Sequence, residues 1–119
     1  MALASAMQGR LEMARAFEER EDTFEKEFAK DEALRFRAAA RRNKAVALWV
    51  AGLKGLAPEA AEKYAEDFVA AQVGAGDDDV AAALKRDLAG GDVDLSDHRL
   101  RRKMAEEMAR ALESVKAGK

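Results

Sequence analysis

Glycine and proline divide the second half of the chain into segments of helical length, which restricts the folds that it can adopt. Pro58 stands at a position where the first turn of a helix accepts proline, and glycine commonly ends a helix. The helix-breaking residues are Gly52, Gly55, Pro58, Gly74, Gly76, Gly90 and Gly91. Their spacing predicts a long first helix and three shorter ones, of which the second covers residues 58–73.

Each of the three shorter segments carries apolar residues at the three-four spacing of one helical face. The predicted core-facing residues are Ala61, Tyr64, Ala65, Phe68 and Val69 in the second helix, Val80, Leu84 and Leu88 in the third, and Leu100, Met104, Met108 or Ala111, Leu112 and Val115 in the fourth. Asp77–Asp79 place carboxylates at the positive end of the third helix, and Asp94 or Ser96 caps the fourth. Trp49 and Tyr64 are expected to fill the core.

Sheet-forming residues are scarce, because the chain has 28 alanines and 11 leucines but no isoleucine and a single threonine. Its 119 residues have room for one domain with one modest core. No cysteine is present, which excludes disulfides, thiolate metal sites and cysteine nucleophiles. We therefore predict an all-α protein without a metal site or a required cofactor.

Blocks of opposite charge alternate along the chain beneath a net charge of -2. Residues 1–16 carry +1, residues 17–32 carry -5, residues 33–54 carry +6, residues 55–97 carry -8 and residues 98–119 carry +4. Basic blocks can therefore face acidic ones in the folded chain. This alternation favours an antiparallel four-helix bundle.

Two apolar stripes of the first helix point in different directions. At 100° per residue, Phe17, Phe24 and Phe28 lie within about 20° of a common line. A second stripe, formed by Ala38, Ala45, Leu48, Trp49 and Gly52, is centred about 80° away. Either the helix bends near residues 29–33 and both stripes pack within the chain, or the phenylalanine stripe is left for another protein.

The run FEEREDTFEKEFAKDEALRFRAAARRNKAVALWVAGLKG, which begins at Phe17, resembles the zeta subunit of alphaproteobacterial F-type ATP synthases. That family consists of small helical inhibitors of the enzyme's ATPase activity. The similarity extends from residue 17 to about residue 119. Its most specific positions are Phe17, Arg20, Phe24, Phe28, Asp31, Phe36, Ala40, Arg41, Arg42, Asn43, Lys44, Leu48 and Trp49.

The resemblance implies a four-helix bundle with a mobile N-terminal arm and no enzymatic activity. The arm would become helical inside the catalytic head and block rotation at an interface of the α, β and γ subunits. The residues that would bind this partner are Phe17, Glu18, Glu19, Arg20, Glu21, Asp22, Phe24, Glu25 and Phe28. We expect a disordered extension over residues 1–12, an inhibitory arm over residues 13–32 and the bundle over residues 33–119.

The basic cluster Arg41, Arg42 and Lys44 has two interpretations. It can pair within the chain or make a secondary contact with a partner protein, or it can bind adenine nucleotide, which the resemblance suggests although the chain contains no phosphate-binding motif. A nucleic-acid site is disfavoured, because the isoelectric point is near 5.5 and acidic partners are available within the chain. His98 is expected to face solvent.

No apolar stretch approaches the length of a membrane span. We accordingly expect a cytoplasmic protein. The resemblance implies that it reaches the inner membrane only through the synthase, and we expect a monomer when it is free. The alternative function is a helical adaptor whose phenylalanine stripe mediates self-association. A nucleotide-sensing domain is a third and weaker interpretation.

Overall fold

The computed structural model describes residues 2–119, with side chains from residue 5 onward, and this part of the chain contains four helices and no strand. The helices are α1 (Ala2–Leu53), α2 (Pro58–Ala71), α3 (Asp77–Leu88) and α4 (Asp97–Lys116). The predicted all-helical class and the long first helix are therefore confirmed. Residues 2–12 form the first turns of α1, and the disorder expected there stays a prediction for measurement in solution.

The helix ends follow the local sequence signals. Pro58 occupies the first turn of α2, and Gly55 and Gly74 have φ angles of 74° and 77°, which a residue with a side chain rarely adopts. Of the two predicted caps of α4, Ser96 is the one used. Its Oγ accepts a hydrogen bond from the backbone N–H of Arg99 over 3.1 Å.

The chain divides into two compact units, of which the first ends at Ala33 and the second comprises Leu34–Lys119. All four helices contribute to the main core of the second unit. Its buried residues are Val46, Ala47 and Val50 of α1, Ala65 and Phe68 of α2, Val80, Ala81, Ala83, Leu84 and Leu88 of α3, and Leu100 and Met104 of α4. The predicted faces of α2, α3 and α4 supply most of this core.

Of the second predicted stripe of α1, only Ala38 is fully buried. Further along the helix the fully buried residues are Val46, Ala47, Val50 and Ala51, whereas Gly52 is exposed and Ala45, Leu48 and Trp49 are only half-buried. Small side chains allow neighbouring helices to approach closely and then lie at the centre of the contact, while a large indole fits more readily at its edge. The ammonium of Lys103 lies 5.6 Å from the centre of the Trp49 ring.

A smaller apolar cluster joins the beginning of the second unit to the end of α4. Leu34 and Ala38 pack there against Ala111 and Val115, with Met108 and Leu112 beside them. Arg41 adds two hydrogen bonds, one to Ser114 Oγ at 2.7 Å and one to the backbone carbonyl of Lys119 at 2.6 Å. These contacts fasten α1 to α4 from Leu34 onward.

Ion pairs connect the basic blocks to the acidic block, as the charge pattern predicts. Arg101 donates to Asp78 over 2.7 Å and therefore links α4 to α3. Asp97 pairs with Lys85 and with Arg101. The hydrogen bond from Lys85, assisted by both positive charges, lowers the pKa of Asp97 below its ordinary value against a smaller opposing effect of desolvation.

Candidate protein-binding site

The phenylalanine stripe lies on a segment of α1 that has no buried side chain. Every residue from Ser5 to Ala33 is exposed. Phe17, Phe24 and Phe28 expose 63%, 73% and 58% of their surface. Since a buried aromatic side chain gives one of the largest apolar contributions to binding, three exposed rings at helical spacing are typical of a protein-binding surface.

The charged residues predicted to accompany the rings are also exposed: Glu18, Glu19, Arg20, Glu21, Asp22 and Glu25. No ion pair involves any of the described side chains up to Ala33, although three bases lie among eight acids over residues 17–32. Thr23 Oγ1 donates a hydrogen bond to the backbone carbonyl of Glu19 over 2.9 Å. The carboxylates of this segment are thus available to a partner.

The offset between the two stripes is not what leaves the phenylalanines exposed. Residues 5–33 are exposed on every face of the helix, so the direction of the stripe does not affect its burial. α1 also continues as one uninterrupted helix through residues 29–33, where a bend is one of the two predicted alternatives. The change at this point is from exposed residues to packed ones, beginning with the half-buried Leu34.

The three residues of the basic cluster all have partners within the chain. Arg42 is 2% exposed, and its guanidinium donates to Asn43 Oδ1 over 2.9 Å and to Asp77 Oδ1 over 2.8 Å. Arg41 bonds to α4 as described above, and Lys44 Nζ lies 3.0 Å from Glu62 Oε1. A ligand phosphate would have to replace these internal partners, which weakens the nucleotide interpretation.

Two carboxylates of the acidic run at the beginning of α3 also have partners within the chain. Asp77 accepts from Arg42 and Asp78 from Arg101. Among the described residues, no group of three or more histidine or acidic side chains is arranged to hold a metal ion. His98 is exposed at the beginning of α4. Asp77 and Asp78 consequently connect the beginning of α3 to α1 and α4.

Sequence reasoning missed one exposed aromatic residue. Phe36 belongs to the sequence run that carries the resemblance, but we did not include it among the binding residues. It exposes 57% of its surface in the packed unit, between the exposed Arg35 and Arg37. Phe36 lies two residues after Leu34 and two before Ala38, and therefore on a different face of the helix. This spacing is the signal that could have identified Phe36 as exposed.

The fold and this surface define a class of protein: a small helical protein with an exposed, acidic and aromatic segment suited to binding another protein. The chain matches the family described as ATPase inhibitor subunit zeta over residues 13–114, and it belongs to that family. Membership supports a role as an ATP synthase inhibitor and a regulatory rather than catalytic protein. No curated protein and no solved structure matches the chain.

Within the described residues, none of the helices has the length and apolar character that crossing a bilayer demands.

Proposed function

We propose that this protein inhibits ATP hydrolysis by an F-type ATP synthase through insertion of residues 13–32 into the catalytic head. The segment binds as a helix at an interface of the α, β and γ subunits and blocks their relative rotation. Inhibition is steric and needs no chemistry from the inhibitor itself. The protein acts in the cytoplasm and associates with the inner membrane through the synthase.

The observation that carries this proposal is the exposure of Phe17, Phe24 and Phe28 on a helix whose residues 5–33 make no buried contact. Burial of one phenylalanine side chain contributes about 1.5–3 kcal/mol, so three rings in an apolar groove contribute several kcal/mol. Most of the stability of helices in proteins comes from tertiary packing, which this segment lacks. Part of the binding free energy is therefore used to order the arm.

The charge of the arm restricts the groove that can receive it. Residues 17–32 carry a net charge of -5, and their carboxylates are exposed. A groove with an apolar floor and cationic edges complements both properties. Charge complementarity of this kind accelerates encounter and orients the helix, and its effect decreases as the salt concentration rises.

The second unit, Leu34–Lys119, supports the arm and remains outside the head. Its four helices form an antiparallel bundle in this proposal, with α1 fastened to the end of α4 by Leu34, Ala38 and Arg41. The arm is mobile in the free protein, because it has no apolar contacts that would hold its helix together. Binding then selects the helical conformation.

An ATPase assay on a purified alphaproteobacterial catalytic head tests the proposal. The full chain should inhibit hydrolysis, whereas the variant F17A/F24A/F28A and a chain lacking residues 1–28 should not. V73A is the matched control, because Val73 is 65% exposed and lies in the second unit. Circular dichroism should show that the triple variant keeps its helical bundle. Undiminished inhibition by either arm variant contradicts the proposal.

Self-association is the competing use of the same stripe, because exposed aromatic rings can also pair with a second copy. Sedimentation velocity over a range of protein concentrations separates the two functions. An inhibitor arm predicts a monomer without the catalytic head. Concentration-dependent assembly that is lost in F17A/F24A/F28A supports the adaptor instead.

A further inference from the structure

A second exposed surface lies on the packed unit, immediately after the arm. Leu34 and Ala38 pack against α4, whereas the three-residue patch Arg35–Phe36–Arg37 is exposed. Phe36 and Val73 are the exposed large apolar residues of this unit as the structure describes it. Leu34 and Ala38, on either side of the patch, therefore pack within the fold, while the patch itself is exposed to solvent.

The two arginines of the patch differ from most of their basic neighbours. Arg41, Arg42 and Lys44 have hydrogen-bond or ion-pair partners, whereas no side-chain hydrogen bond or ion pair involves Arg35 or Arg37 within the described residues. An apolar ring between two unneutralised guanidinium groups complements an acidic surface with an apolar recess. Arginine is well suited to such a contact because it can bind a carboxylate through two parallel hydrogen bonds.

Chain connectivity determines where the patch lies when the arm is bound. Phe36 follows Glu32 by four residues, which span about 6 Å in a helix and at most about 14 Å when extended. If residues 13–32 fill the groove of the catalytic head, Phe36 must lie at its mouth. Continuity with the arm thus identifies the rim of the groove as the surface within reach.

We propose that the patch Arg35–Phe36–Arg37 makes a second contact with the catalytic head, on an acidic rim that contains a recess for the Phe36 ring. This inference rests on the proposed function of the arm. The partner consequently presents cationic edges to residues 17–32 and carboxylates to the patch. The arm blocks rotation, and the patch prolongs the bound state by holding the root of the arm at the rim.

Inhibition kinetics of full-length variants test the second contact. F36A and R35E/R37E should each raise the concentration for half-maximal inhibition by about tenfold, mainly through faster dissociation, as loss of a binding hot spot does. Inhibition at saturating concentration should stay complete, because the arm is intact. The effect of R35E/R37E should diminish as salt is added.

Matched controls separate the patch from general effects of charge and surface. R86E/R99E changes the net charge by the same amount at two exposed arginines of the same unit, and V73A shortens the other exposed apolar residue. Both should inhibit as the unmodified chain does. The second contact is contradicted if F36A and R35E/R37E need the same concentration for half-maximal inhibition as their controls.

Two further results distinguish this inference from the proposed function. If F17A/F24A/F28A still inhibits fully, the arm proposal fails, whatever the patch variants do. If the arm variant loses inhibition while F36A remains unchanged, only the second contact fails. Dimerisation of the unmodified chain that F36A abolishes would assign the patch to a second copy and also reject the rim contact.

Discussion

Arg42 of α1, a residue with 2% of its surface exposed, donates a hydrogen bond from Nη1 to Oδ1 of Asp77 over 2.8 Å. The carboxylate partner is itself 70% exposed and stands in the first turn of α3. A buried guanidinium is thus neutralised by a group that remains in contact with water. This arrangement lowers the desolvation cost of the pair as a whole, because the carboxylate keeps much of its hydration.

Removal of the Asp77 carboxylate should destabilise the fold because it leaves a buried cation without its charged partner. We expect D77A to reduce the free energy of unfolding by about 1–2 kcal/mol, measured by urea denaturation. D79A is the control, since Asp79 lies in the same helical turn. Both substitutions remove a favourable interaction with the helix dipole, which contributes about 0.3–1 kcal/mol. Equal losses in the two variants would show that the pair contributes nothing specific.

The phenylalanines of the arm and of the core should respond in opposite ways to truncation. F24A removes a ring that is 73% exposed and should change the free energy of unfolding by less than about 0.5 kcal/mol while weakening inhibition. F68A removes a ring that is 5% exposed in the main core and should cost about 3–5 kcal/mol. Denaturant titration of both variants measures the two free energies of unfolding. A large loss of stability in F24A would show that the Phe24 ring packs against other residues of the folded chain.

Tyr64 should titrate well above the ordinary tyrosine range. Its hydroxyl donates to Asp87 Oδ2 over 2.7 Å, and burial, this hydrogen bond and the carboxylate charge all raise its pKa above 10.0. The raised pKa of Tyr64 contributes stability to the fold. This contribution is fully present at pH values below the pKa of the tyrosine in the unfolded chain, and it is lost as the pH rises through the pKa of Tyr64 in the folded protein.

Spectrophotometric titration can follow this group alone, because the chain contains a single tyrosine. D87N should bring the Tyr64 pKa closer to its ordinary value, since it removes the charge and weakens the acceptor. D92N changes an exposed carboxylate that has no ion-pair partner in the described structure and should leave the titration unchanged. A D87N curve that matches the original would assign the whole shift to burial.

Amide hydrogen exchange should differ sharply between the two parts of α1. Residues 13–32 should exchange quickly in the free protein, because no tertiary contact protects their helical hydrogen bonds. Residues 42–51, which include several fully buried positions, should exchange slowly. Addition of the catalytic head should protect the arm selectively. Equal protection of both parts before addition would contradict a mobile arm.

Local signals in the sequence anticipated much of the fold. Gly55, Pro58, Gly74 and Ser96 mark helix ends, and each acts through its own backbone conformation or an adjacent hydrogen bond. The faces of α2, α3 and α4 were also predictable, because each of these helices buries one side in a common core. The inner face of α1 was predicted only at Ala38, because residues of all four helices meet in the main core and small residues of α1 take the central positions.

The candidate site also has features that the sequence predicted and features that only the tertiary structure revealed. Helical spacing and charge alone defined the stripe of Phe17, Phe24 and Phe28 and its acidic surroundings, because both properties belong to a single helix. Only the tertiary structure revealed that Arg42 is buried against Asp77, and that Phe36 remains outside while Leu34 and Ala38 pack. Burial depends on which other helix lies beside a residue, and contacts between residues distant in sequence decide that.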